Sequence, residues 1–207
     1  MNRRSFASIE HCTFVQDSYL HVKGTAITSF TNRVTIEVLH STFREAGVKF
    51  SGNFSNASLT LRNNTMSITH RINMSQHASY TVPLFLSDVW LTNSTSFNVV
   101  ANTISPADIV KSPIALHGSI ELHNSTFLIS YNNMTATGGN SNAYTLLFVS
   151  ITMTSSNWHI FYNNLMSTGG SDNAYTLHFS QPITITSSNW YISYNNMTAT
   201  SSSSFTL

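Results

Sequence analysis

Trp158 to Leu177 reads WHIFYNNLMSTGGSDNAYTL, and this stretch decides the fold because the chain says it three times. Phe127 to Leu146 reads FLISYNNMTATGGNSNAYTL, and Trp190 to Leu207 reads WYISYNNMTATSSSSFTL. The tyrosines that open the YNN triplets are Tyr131, Tyr162 and Tyr194, evenly spaced along the chain. Self-similarity at a fixed period is the mark of a repeat architecture. Within one unit, Ile151-Thr-Met-Thr, Trp158-His-Ile-Phe-Tyr and Tyr175-Thr-Leu-His-Phe each alternate apolar and polar residues. Such alternation over four to six residues, rich in β-branched and aromatic types, predicts a strand. Ser-Ser-Asn, Asn-Asn and a Gly-Gly-x-x-Asn stretch separate the strands, and Asn and Gly tolerate the left-handed backbone of tight corners.

Three strands and three corners per repeat predict one coil of a triangular solenoid. A single coil cannot bury its inward face, whereas stacked coils pair their backbones about 4.8 Å apart and lay like side chains on like. The expected fold is therefore all-β, a right-handed parallel β-helix. Ile151, Met153, Ile160, Leu177, Ile183, Ile185 and Ile192 are its expected inward residues, and the threonines of the Ile-Thr-x-Thr runs should point out. Asn132, Asn163 and Asn195 should stack at one corner, as amides do in cross-β ladders. The surplus length of each coil should lie in the Gly-Gly loop. An antiparallel meander or sandwich is the rival, since the same separators serve hairpins. It does not need identical residues at identical places.

A decayed form of the repeat runs toward the start: SIEHCTF to Phe14, TIEVLHSTF to Phe43, SLTLRNNTM to Met66, VWLTNSTSF to Phe97 and SIELHNSTF to Phe127. ITMTSSNW to Trp158 and ITITSSNW to Trp190 complete the series. The last residues of these phrases advance with a nearly constant step, shortest between Phe43 and Met66. They predict about seven coils of roughly 23–32 residues in a single β-helical fragment spanning 1–207. Residues 122–207 would be its near-identical tandem part, and both ends would lack caps.

These motifs resemble those of pectin-lyase-like β-helices. More narrowly, SLTLRNNTMS (Ser58 to Ser67) and SIELHNSTF (Ser119 to Phe127) resemble the dispersed gene family surface proteins of kinetoplastid protists. The resemblance covers nearly the whole chain, with motifs that specify fold more than family. It implies a large, glycosylated, membrane-associated protein with a β-helical ectodomain. Membrane attachment would lie in parts not contained in this chain. The chain shows neither a signal peptide nor an apolar run of the roughly 20 residues that a spanning helix needs.

Composition agrees with a surface role. Charged residues make up 8% of the chain against about 25% in an average protein, while 41% are hydrophobic. Ser, Thr and Asn take the places of Lys and Glu, and enough apolar surface remains to offset chain entropy. The formal net charge is +1 with scattered cations, so no electrostatic footprint for nucleic acid exists. The one cysteine, Cys12, excludes an internal disulfide and reads as a small packed side chain.

Asn53, Asn56, Asn63, Asn73, Asn93, Asn124, Asn133 and Asn196 each begin an N-x-Ser/Thr sequon. Asn53 and Asn56, near Gly52, should lie in a loop. Asn133 and Asn196 should be buried at the stacked corner and closed to a transferase, which leaves Asn53, Asn56, Asn63, Asn73, Asn93 and Asn124 as the glycosylation candidates.

No catalytic, cofactor or metal site is expected. Polysaccharide hydrolysis needs paired carboxylates, and elimination needs acidic Ca²⁺ ligands with a base. The carboxylates here come about one per coil. Glu10, Glu37 and Glu121 follow Ile in similar phrases and could share an outward column, with Glu10 and Glu37 adjacent. The nine histidines lack metal-ligand spacing. The Thr-x-Thr pairs at Thr152 and Thr184 are too few for an ice-binding face. The rows Trp158/Trp190 and Tyr131/Tyr162/Tyr194 should pack within the helix rather than stack sugars. The sequence thus predicts a non-enzymatic structural or adhesive surface module that meets surface glycans or proteins of a host or neighbouring cell. A glycan-binding or glycan-cleaving enzyme fragment and a non-functional truncated gene copy are the alternatives.

Overall fold

The computed structural model describes residues 4–24, 33–69, 80–108, 112–170 and 172–201. They form strands and corners, without a helix among the described residues. The first face is a seven-stranded parallel sheet. Its strands are Arg4–Glu10, Arg33–Leu39, Ala57–Arg62, Ser96–Val100, Thr126–Ser130, Asn157–Phe161 and Asn189–Ser193, one from each coil in chain order. The second face holds Thr65–Ile68, Thr103–Asp108, Asn133–Gly138, Asn164–Gly169 and Asn196–Ser201. The third holds Leu84–Thr92, Ser112–His123, Ala143–Thr154, Ala174–Phe179 and Ile183–Thr186. Thr42–Ser55 runs through both, pairing with Thr65–Ile68 at one end and Leu84–Thr92 at the other. The protein is a parallel β-solenoid of about five full turns with partial coils at the ends.

Stacking like on like builds the core. On the first face Val38, Leu61, Val99, Ile129 and Ile160 lie in register, and beside them run Leu59, Phe97, Phe127 and Trp158. All nine are fully buried. Each buried aliphatic or aromatic side chain contributes about 1.5–3 kcal/mol relative to exposure. Ile151, Met153 and Ile160 are inward and buried as expected, and Leu177 and Ile183 are half-buried. Ile185 and Ile192 are in register with Met153 and Ile160, yet stand 43% and 45% exposed, because no described strand covers the last coil.

Among the described residues, two of the corners of a coil turn on a left-handed residue. Between the first and second faces these are His11, His40, Asn63, Ala101, Tyr131, Tyr162 and Tyr194, at φ of 49–56°. Between the third and first faces they are Asn56, Asn93, Asn124, Ser155 and Ser187, at φ of 48–53°. In the coils that contain Gly138-Gly139 and Gly169-Gly170 the third corner is the Gly-Gly loop. A Cβ on Gly170 would collide with the backbone carbonyl of Gly139 one coil below, so this close approach admits only glycine.

Two expectations about the repeat require correction. The coil spacing, read from corner to corner, is 29, 23, 38, 30, 31 and 32 residues, so coils reach 38 residues and exceed the expected upper bound. Met66 also does not pair with Phe97. Met66 lies beside Ile104 on the second face, and Phe97 beside Leu59 on the first. The phrases ending at Phe14, Phe43 and Met66 turn the corner after the first face, whereas the later four turn the corner before it. The two corners share one chemistry, a left-handed residue and a small polar one followed by a large apolar one, so aligning their phrases joins non-equivalent places.

Candidate functional surface

The corner after the first face carries the longest polar feature. The backbone N–H of Ser41 donates to Asn64 Oδ1 at 2.9 Å, that of Asn64 to Asn102 Oδ1 at 3.0 Å, and that of Asn102 to Asn132 Oδ1 at 2.9 Å. Asn132 continues to Asn163 at 3.0 Å, and Asn163 to Asn195 at 2.9 Å. Each Nδ2 donates in turn, that of Asn132 to the carbonyls of Val99 and Ser130 and to Asn163 Oδ1. Asn64, Asn102, Asn132 and Asn163 are almost wholly buried. Cys12, half-buried, takes the first place in this column, with its N–H donating to Ser41 Oγ. A buried amide with its donors and acceptors matched stabilises the stack and specifies register, which makes this row structural. Three members are legible from the YNN triplets. Asn64 and Asn102 are not, because their N-N and A-N contexts lack the tyrosine that marks the later copies.

Some of the sequons lie where the sequence suggests and some do not. Asn63, Asn93 and Asn124 are exposed at left-handed corners. Asn56 occupies an equivalent corner but is half-buried, and Asn53 lies in the strand Thr42–Ser55, not in a loop. Asn73 is outside the described residues. Asn133 and Asn196 are exposed, contrary to the expectation of burial, because each follows the buried amide and so points outward. They form an outer row with Asn164, in which Asn164 donates to Asn133 and Asn196 to Asn164, each at 2.9 Å.

Tyr131, Tyr162 and Tyr194 also overturn an expectation. They stack outside the helix, with ring centroids 5.1 and 5.0 Å apart and planes within 10°. Their exposures are 59%, 47% and 76%. Trp158, by contrast, is fully inside the helix, with Trp190 half-buried above it.

Among the described residues the carboxylates do not converge. Glu10 lies opposite Leu39, Glu37 opposite Ser8 and Thr60, and Glu121 on the third face opposite Trp90 and Thr152, so the expected column does not exist. Glu121 makes an exposed pair with His123 at 3.7 Å, an arrangement worth little. Among the described residues no three His, Cys, Asp or Glu side chains gather as for a metal. His21 meets Ser51 Oγ at 2.7 Å, and its pKa is lowered by partial burial and then by Lys49 and Lys23.

The third face carries a concavity that sequence reasoning missed. A bulge recurs along it: Asp88 takes φ 50° between Leu86 and Val89, and the register slips again at Gly118/Ser119, leaving Val149 opposite no residue. Bulges bend strands and re-aim side chains. Here they open a groove of about 400 Å³ along the stack. Phe85, His117, Leu147 and His178 follow one another in register along it. Tyr144 closes one side, its ring 5.4 Å from that of His178, while Ser87, Ser119 and Ser180 line the other. Bulges at unlike residues leave no periodic signal, and the cue in the later repeats is the odd extra residue in the phrase Leu147-Phe-Val-Ser.

No protein-family model, no curated protein and no solved structure matches the chain. Among the described residues no helix is long and apolar enough to cross a membrane.

Proposed function

We propose that the chain is a non-enzymatic repeat segment of a cell-surface, membrane-associated glycoprotein with a structural or adhesive role. The observation that carries the proposal is the placement of sequon asparagines at exposed corners, with Asn63 on one edge of the solenoid and Asn93 and Asn124 on another. A rigid stack whose surface is polar, nearly uncharged and rich in hydroxyls and amides suits a spacer that holds other parts of a protein away from a membrane. The separation of Glu10, Glu37 and Glu121 supports a non-catalytic role. Contacts with glycans or proteins of a neighbouring or host cell would use the flat outer faces.

Secretion of the chain from a eukaryotic cell behind an added signal peptide tests the reading. Enzymatic deglycosylation in heavy-oxygen water marks each formerly occupied asparagine by mass. Marking of Asn63, Asn93 or Asn124 is the expected outcome. A folded, secreted chain with none of them marked contradicts the glycoprotein reading. Asn196 should be marked less than Asn133, because its Nδ2, the atom to be modified, is committed to Asn164.

A further inference from the structure

We infer that the third-face groove is a binding site for a neutral oligosaccharide lying along the solenoid axis. The inference goes beyond the scaffold role and holds equally for a chain that bears no glycans of its own. Three observations carry it. The first is size: about 400 Å³ lies within the range of small-ligand sites. From the coil of Asp88 to that of Ser180 there are three coil steps, or about 14 Å at the usual strand spacing, room for a short linear chain rather than a single compact molecule.

The second is the division of the walls. Half-buried Tyr144 and Val149 offer aromatic and aliphatic surface above a floor of buried Phe85 and Leu147, and Ser119, Ser180 and His178 offer hydroxyls and an imidazole that both donate and accept. A pyranose has the same division, with an apolar C–H face and a rim of hydroxyls. A purely apolar ligand would strip water from the serines without replacing it, and such unpaired groups are costly.

The third is charge. Among the described residues Asp88 is the only carboxylate in the lining, and no Lys or Arg lines the groove. Lys49 is outside this lining, its Nζ 5.3 Å over the Phe85 ring centre. An acidic sugar would find no cationic clamp in this lining, and Asp88 would repel it.

The test is an array of neutral and uronic-acid oligosaccharides probed with the folded chain, followed by calorimetry on the best neutral ligand. Ser119→Trp fills the groove and should abolish binding. His178→Ala removes one polar contact and should weaken binding at least tenfold. Thr186→Trp, on the exposed end of the same face, should leave it unchanged. If Ser119→Trp does not fold, His178→Ala still decides the matter, because His178 is only partly buried. Absence of binding to every neutral oligosaccharide overturns the inference. So does binding confined to uronates, or neutral binding that neither variant reduces.

Discussion

Asn132 and Asn133 are neighbours of identical chemistry with opposite parts in the structure. Asn132 is 2% exposed and serves four partners, and Asn133 is exposed with one. Asn132→Ala leaves the Asn102 N–H without its acceptor in the interior and takes from Asn102 Nδ2 one of its two. It should cost about 2–4 kcal/mol, since each unsatisfied buried group costs roughly 1–3. Asn133→Ala should fall within about 0.5 kcal/mol of the parent, as ordinary surface changes do. Urea denaturation of the two variants reads the difference. Trp158 offers a second residue-scale test. Its indole Nε1 is buried without a hydrogen-bond partner, and its place in the column is held by Phe127 one coil below. Trp158→Phe removes the orphaned donor while keeping an aromatic ring, and should cost less than about 1.5 kcal/mol. Trp158→Ala should cost about 3–5 kcal/mol. Equal losses for the two would contradict the packing described. The inward position of Trp158 was legible from strand alternation. The outward position of Tyr162 was not, because the same alternation continued through Ile160 to Tyr162 predicts an inward ring. The left-handed backbone at Tyr162, φ 54°, breaks the alternation and turns the ring to solvent.

At the scale of strands and corners, the alternating runs and the Gly-Gly loop of residues 127–201 could be read because neighbouring copies barely differ. Equivalence between Met66 and Phe97 could not be judged, since both corners of a coil use the same residue types and the 38-residue coil between Asn64 and Asn102 breaks the period. The bulged third face escaped the reading because a bulge depends on how a partner strand lies, not on local propensity. Strand Thr13–Gly24 carries the pH-sensitive element. His21 is opposite Lys49 in the next coil, and Lys23 is two residues on. Its pKa in the folded protein is lowered from 6.5, so the unfolded chain binds the proton more readily. Above pH 6.5 both states are neutral at this site and it contributes no difference. As pH falls through 6.5 toward the folded value, protonation favours unfolding, and stability declines. The ring is largely exposed, so the effect is small. Denaturation midpoints between about pH 7.5 and 5 should fall less steeply in His21→Gln than in the parent, and identical slopes would contradict the assignment.

For the whole molecule, stability arises from repetition. Columns of like residues and a corner row, amide from Asn64 to Asn195, join each coil to the next, so the interfaces resemble one another and interactions extend only one coil in either direction. This organisation produces a stiff rod with polar, low-charge outer faces, which is the physical basis for the proposed surface role. The fold stands or falls on the parallel register of successive coils, and paired cysteines probe that register. In a Cys12→Ser background, Thr152→Cys with Thr184→Cys places two outward side chains in register on adjacent strands. Their separation of about 4.8 Å lies within the range that a disulfide spans. Rapid intramolecular bridging of this pair under mild oxidation is expected, with the folded structure intact, and little bridging when Thr152→Cys is combined with Thr186→Cys. Failure of the in-register pair to bridge, or equal bridging of both pairs, would contradict the stacked-coil architecture.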